Sequence, residues 1–463
     1  MSSVFLARLQ FGFTAGFHFL FPPTTLGLSL VIVILETLYL RKKAEIYRDL
    51  SIFLVRILGV VFVMGVATGI ALEFAFGNNW SAYARTVGDI FGAPLAAEGV
   101  FSFFLESVFL GILVFGRRRV SPKTYWLSAF LVFFAAHLSG LWIIIANSWM
   151  QTPAGFRMEA GRAVLTSFFQ AAFNPSTVVR FIHTILGGWI TGSLVAAGIA
   201  AWHLLKHKAH DRALVLLKTS LALFIVAAIL QLGSGHAHSI QVTRTQPEKM
   251  AAFEALWKTR TGAPFTVFGI PDEKNERTHL AVRIPGFLSF LVGLDSATKV
   301  RGLDDFPKDE RPPVFLPFVG YHLMILFGLL FILMAVLGAA LLIRKKLADS
   351  RSYLRLLVLA IPLPYLANEL GWIAAEVGRQ PWAVHRVLRT ADAVSPVVPA
   401  GNILFSIILF TGIYALIAVA GVSILLRLVK HGLARPAAEK EGQSPPGVTG
   451  PSSPSSAAPQ GGY

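Results

Sequence analysis

The chain has 463 residues, 54% hydrophobic and 14% charged, with a mean hydropathy of +0.63. These values exclude an ordinary soluble enzyme and indicate an integral membrane protein, whose 41 Lys and Arg against 25 Asp and Glu suit loops at a lipid surface rather than nucleic acid. With no cysteine, disulfides, thiolate haem ligation and Cys-held iron–sulfur clusters are excluded, so any metal falls to His, Met, Glu, Asp or backbone.

Nine stretches reach the length of about 20 apolar residues that a bilayer crossing requires. They cover residues 10–39, 52–76, 91–115, 125–149, 178–204, 214–233, 317–343, 353–375 and 400–428. The expected fold class is therefore an all-α integral membrane protein with nine transmembrane helices. The first run lacks a basic leader and a small-residue cleavage site, so it reads as a retained span. Basic clusters recur at alternate loops: Arg41 to Lys43, Arg117 to Arg119, Lys206 and Lys208, Arg344 to Lys346, and Arg427 with Lys430. The short loops opposite carry only scattered arginines, such as Arg85, Arg157 and Arg389. The excess of positive charge assigns the first set to the cytoplasm, with the N-terminus outside and the C-terminus inside.

Four segments follow from these spans: helices one to six in 1–233, an outer loop in 234–316, helices seven to nine in 317–428, and a cytoplasmic tail in 429–463. The loop shows no evident regular structure, and at this length such a loop is usually functional. The tail is rich in Pro, Ser, Gly and Ala and is expected to be disordered. No Walker or dinucleotide-type glycine pattern is present.

Polar groups inside the spans carry the chemical information, because each must find a partner. His18 lies in span one (FTAGFHFLFPP), His183 one turn into span five (RFIHTILGGW), and Met324 two turns into span seven (GYHLMILFG). Glu376 lies in the last turn of span eight (GWIAAEVGRQPW), three residues before Arg379, with which an ordinary interfacial ion pair is equally compatible. His183, Met324 and Glu376 fall near the outer ends of their helices, and His18 in the outer half of its own. Four potential axial ligands at that level can hold flat macrocycles, and a His with a Met is a low-spin haem pairing. Taken singly, each residue is also explained by packing, hydrogen bonding or proton relay. Glu98 and Glu106 lie on span three, about 12 Å apart along an ideal helix and turned by roughly 80°. Two tandem acids suit a proton relay, with Ser107 and, on span four, Ser139 and Asn147 along a water chain.

Several blocks together carry a family likeness: RLQFGFTAGFHFLFPPTTLGL, GVATGIALEFAFGNNW, GDIFGAPLAAEGVFSFFLES, LWIIIANSWMQTPAG, the His183 segment, QPEKMAAFEALW, FTVFGIPD and GWIAAEVGRQPW. In this order across nine spans the chain resembles subunit I of the cytochrome bd-type quinol oxidases, in the branch with a short outer loop that resembles cyanide-insensitive members. The resemblance implies that His183 and Met324 bind low-spin haem b. It implies one high-spin haem each for His18 and Glu376, a haem b and a haem d, without fixing which takes which and with haem b in place of haem d left open. It places Trp372 between the haems, Arg379 beside the cofactor, Glu98 and Glu106 on the proton route, and Lys249 and Glu254 at quinol oxidation. It further implies a second multi-span subunit, a small single-span subunit, and the bacterial cytoplasmic (inner) membrane. His322, two residues before Met324, stands where Arg is common, and GHAHS at 235–239 replaces a more acidic stretch.

The implied activity is that of a terminal oxidase, which takes electrons from quinol at the outer face and reduces O2 to water with protons from the cytoplasm, without pumping. A haem b electron-transfer subunit without O2 chemistry is the alternative. It explains His183 and Met324 but not Glu376, the tandem acids or the loop residues. A haem-free, proton-coupled transporter is the third reading.

Overall fold

Proline positions decide where the long rods break. The computed structural model describes residues 2–433, and among them nine helical rods are long and apolar enough to cross a membrane. The first consists of α1 (Ser3–Phe19), capped by the Ser2 hydroxyl, and α2 (Pro22–Lys42). Pro22 and Pro23 have no N–H to continue α1 but suit the first turn of a new helix, so the expected single span at 10–39 is bent at residues 20–21. The second rod is α3 (Glu45–Gly77). The third starts as α4 (Ser81–Ala97), widens into a π-helical turn over Glu98–Phe103, and continues as α5 (Phe104–Phe115). Pro94 lies inside α4, four residues before that turn, and removes an intrahelical donor just ahead of it.

After α6 (Pro122–Gln151) come a hairpin of β1 (Phe156–Glu159) and β2 (Arg162–Leu165), the short α7 (Phe168–Ala172), then α8 (Thr177–Leu205) and α9 (His210–Thr245). The sixth span, expected to end at 233, therefore runs on through GHAHS to Thr245. The intervening loop is also more ordered than expected. It contains α10 (Pro247–Phe253), β3 (Arg260–Thr261), the antiparallel β4 (Phe265–Asp272) and β5 (Arg277–Ile284), α11 (Phe287–Gly293), and β6 (Lys299–Val300), which pairs with β3. The signal was available, since β4 and β5 are rich in Phe, Val, Ile and Thr on either side of a polar turn.

The seventh rod is α12 (Phe315–Ile343), and the eighth is α13 (Arg351–Leu359) followed by α14 (Leu363–Val377), broken at Pro362. A small hairpin of β7 (Trp382–Val384) and β8 (Leu388–Arg389), then α15 (Thr390–Ala393), lead to α16 (Ala400–Gly432). The first residues of the tail segment thus extend α16, and 434–463 lie outside the described residues.

The bundle is organised on α8, whose apolar stretch is almost wholly buried, whereas α12 and α14 leave most of theirs half-buried or exposed and α16 most of its own exposed. Glycine makes this possible where α2 crosses α8. A Cβ on Gly27 would stand 2.5 Å from the Gly188 carbonyl oxygen, and one on Gly192 would stand 2.4 Å from the Gly27 backbone. Both obstacles are main chain, so neither can move aside. Gly192→Ala is expected to cost about 1–3 kcal/mol. Gly188→Ala meets only the Leu26 side chain and should cost less. Thermal unfolding of the two variants, followed by near-UV circular dichroism, checks the order.

Candidate functional site

Glu376 sits at the end of α14, and every polar element around that end converges on it. Its Oε2 is 2.5 Å from Arg379 Nη2, the ion pair the three-residue spacing allows. Its Oε1 accepts hydrogen bonds from Asn147 Nδ2 at 3.1 Å and Gln151 Nε2 at 3.0 Å, both on α6, and lies 3.9 Å from Arg180 Nη2 on α8. Arg180 also donates to Asn147 Oδ1, and its guanidinium lies 5.7 Å from the Trp372 ring centre. From the loop, Lys249 donates to Gln151 Oε1 and, at 2.5 Å, to Gln246 Oε1. Gly378 makes room for this, since a Cβ there would meet Lys249 and Phe253 side chains at 3.0 Å. One carboxylate thus faces two guanidiniums, Arg180 of α8 and Arg379 after α14, with Lys249 of α10 linked to it through Gln151. Arg180 and Gln151 went unassigned in the sequence, because their contacts cross between distant segments.

The two candidate imidazoles have the same environment on different helices. His18 Nδ1 is 3.0 Å from Thr68 Oγ1 on α3, and that hydroxyl donates to the Met64 carbonyl at 2.9 Å. His183 Nδ1 is 3.1 Å from Ser234 Oγ on α9, and that hydroxyl donates to the Gln231 carbonyl at 3.0 Å. In both cases the hydroxyl proton is committed to the backbone, so the oxygen accepts Nδ1–H and leaves Nε2 as the free lone pair. His183 Nε2 presently receives Gln231 Nε2 at 3.3 Å. Small residues face both rings: a Cβ on Gly69 would be 3.1 Å from His18 Cε1, and one on Gly235 would be 3.5 Å from His183 Cε1. Met324 Sδ lies against Gly371 of α14, five residues before Glu376. Phe19, next to His18, meets Trp372 edge-on at 5.2 Å, which brings the α1 end and the Glu376 cluster into one neighbourhood.

Comparison with known proteins decides the family. Residues 6–433 match the description of cytochrome bd terminal oxidase subunit I. The chain belongs to that family. It is 41% identical to the cytochrome bd ubiquinol oxidase subunit 1 of Bacillus subtilis (strain 168), over 93% of this chain and 94% of that one. It is 34% identical to the cytochrome bd-II ubiquinol oxidase subunit 1 of Escherichia coli (strain K12), over 92% and 96%. The solved bd oxidase from Geobacillus thermodenitrificans superposes with a TM-score of 0.88 at 29% identity, covering 93% of this chain and 98% of that one. This bd-type subunit I is therefore part of a quinol:oxygen oxidoreductase, a multi-pass protein of the bacterial inner membrane that works with a second subunit and haem.

The residues present fit haem. Two pinned imidazoles and a thioether would each offer one donor to a haem iron, and among the described residues no three His, Asp or Glu gather as a bare-ion site. Arg180 Nε and Arg379 Nη1 are buried without partners, so the cationic surplus around Glu376 can receive carboxylates such as haem propionates.

Deeper in the bd-type subunit, Ser139 Oγ donates to Glu98 Oε1 at 2.8 Å, and Glu106 is buried with an unpartnered Oε1. The π-helical turn between the two acids inserts about one residue, so their eight-residue step acts like seven, close to two full turns. The expected rotation of roughly 80° is thereby largely cancelled, and both acids come onto nearly one face. Ser107 is not aimed at Glu106; its hydroxyl donates to the Phe104 carbonyl of its own helix.

In the loop, Lys249 and Glu254 have separate partners. Burial, reinforced by Arg180 and Arg379, holds the Lys249 ammonium well below its usual range. Burial pushes the Glu254 carboxyl up to about 8, against a hydrogen bond from Thr266 N–H. His322 Nδ1 donates to the Phe318 carbonyl at 2.8 Å, so its Nε2 is a free acceptor 4.0 Å from Glu254 Oε2.

Proposed function

We propose that this subunit seats three haems on four side chains and couples quinol oxidation at the loop face to O2 reduction within the bundle. The loop face is taken as outside and the basic end as cytoplasmic, following the Lys and Arg distribution. His183 and Met324 would hold low-spin haem b. His18 and Glu376 would each hold a high-spin haem, haem b and haem d, or haem b in place of haem d. Bound there, the haems supply one-electron transfer and an open coordination position for O2. The matched environments of the two imidazoles are the observation that carries this reading.

The chain's own groups manage protons and orientation. Quinol losing two electrons also loses two protons. Lys249, whose charged form burial disfavours, would accept one, and ionised Glu254 the other, with release to the outer solvent. Gln151 connects Lys249 to Glu376, so the loop base is fixed relative to the site below it. Glu98, Glu106 and Ser139 would deliver cytoplasmic protons to oxygen, and release and uptake on opposite faces separate charge without a pump. The exposed flank of α16 suits the second multi-span subunit or a small single-span one.

Two measurements test this. Quinol oxidation should rise with pH up to about 8 as Glu254 ionises, and Glu254→Gln should flatten that limb at unchanged haem content. A limb unaltered by the substitution removes Glu254 from the reaction. A reduced absorption spectrum of the purified complex, with its haem extracted and identified, should reveal one low-spin and two high-spin haems. A single low-spin haem per chain would instead indicate electron transfer without O2 chemistry.

A further inference from the structure

Two faces of α14 meet different parts of the bundle. One carries Asn368 and Gly371: Asn368 Nδ2 donates to Thr191 Oγ1 of α8 at 3.1 Å, and Gly371 lies against Met324 Sδ of α12. The other carries Tyr365, Glu369, Trp372 and Glu376, whose steps of four, three and four residues keep them in one line. Along that line Tyr365 OH meets Thr24 Oγ1 of α2 at 2.6 Å, Trp372 meets Phe19 of α1, and Glu376 reaches Asn147 and Gln151 of α6. Between Tyr365 and Trp372, Glu369 points at α1, where a Cβ on Gly16 would stand 3.1 Å from its Oε2. Its Oε1 is buried with no hydrogen-bond partner, and no ion pair reaches either oxygen among the described residues. A carboxyl inside a span is costly, and an apolar side chain would serve packing alone better.

We propose that Glu369 is a further proton-holding acid for oxygen reduction, two turns deeper than Glu376 on the same line of α14. The proposal rests on the reading that His18 and Glu376 seat the high-spin haems, because Glu369 shares its face with Trp372 and Glu376 and not with the residues toward Met324. Reducing one O2 to two waters takes four electrons, from two quinols, and four protons. Glu369 gives up one of these protons, passing from carboxylic acid to carboxylate, and recovers it from the basic, cytoplasmic end of the bundle. Tyr365, one turn nearer that end and hydrogen-bonded to Thr24, is the next exchangeable group along the helix. This supply is separate from Glu98 and Glu106, which belong to the third rod.

The test uses the complete, haem-loaded oxidase complex and reads reduced-minus-oxidised infrared difference spectra in the carbonyl-stretch region of protonated carboxyls. The intact protein should give a band that shifts in deuterium oxide, is missing from Glu369→Gln, and returns at another frequency in Glu369→Asp. With haem content unchanged, Glu369→Gln should also slow O2 reduction by about 100-fold, and Glu369→Asp should recover part of the rate. A packing role predicts no such loss, because Gln fills the same volume. Gly16→Ala keeps the carboxyl but crowds its Oε2, so it should move the band without removing it. That variant decides the matter if Glu369→Gln fails to take up haem. No redox-linked band in the intact protein, a band that persists in Glu369→Gln, a band unmoved in Gly16→Ala, or an unchanged rate in Glu369→Gln would each overturn the proposal while leaving the haem assignment standing. Extracted haem that shows no high-spin pair in the intact complex would overturn the haem assignment itself, and the proposal with it.

Discussion

Glu376→Gln is expected to lower quinol-driven oxygen consumption by about 100-fold or more, a loss of about 2.7 kcal/mol of transition-state stabilisation. The amide keeps the volume and can still accept from Asn147 or Gln151, but it cannot balance Arg180 and Arg379 or serve as an anionic ligand. Under the proposed assignment one high-spin haem should be lost or weakly held, while the haem proposed for His183 and Met324 should keep its spectrum. Glu376→Ala goes further, because it strands two buried guanidiniums, and breaking such a pair costs about 3–5 kcal/mol. Haem content, reduced spectra and oxygen-electrode rates, measured on all three proteins, separate the chemical from the structural part. Full activity in the Gln variant would remove Glu376 from the site.

The second large effect belongs to Glu106. Glu106→Gln removes a transferable proton from a buried position without changing its volume, and should slow O2 reduction by about 100-fold. Quinol-driven reduction of the low-spin haem, read by stopped-flow absorbance, should remain within about twofold, since in the proposed scheme the quinol protons leave at the other face. Equal loss of both rates refutes the assignment. Ser139→Ala takes only one hydrogen bond from Glu98 and should act more weakly, through about 1 kcal/mol.

These two acids also mark what sequence could and could not convey. The spans, the four ligand-capable residues and the Glu376–Arg379 pair were legible because composition and short helical spacing encode them. The kinks at Pro22 and Pro362 carried a local signal that a hydropathy window averages away. The phase between Glu98 and Glu106 had only Pro94 as a hint, because hydrogen-bond slippage within a helix leaves residue order unchanged. Arg180 was visible at the head of its span but had no assignable partner, since Glu376 lies 196 positions further along and only the bundle brings them together. Lys249 and Glu254 were grouped by family likeness, whereas the fold turns one toward Gln151 and the other toward Thr266 and His322.

The widened turn at Glu98–Phe103 has one more consequence. It behaves as a built-in length insertion, so removing a single codon within it, at exposed Val100 for instance, would restore uninterrupted i→i+4 bonding. The seven-residue step then left between the two acids turns by about 700°, the bearing that the widened turn already gives them. Glu106 would keep both its identity and its bearing, which allows the widened turn itself to be removed independently of the direction of the acid.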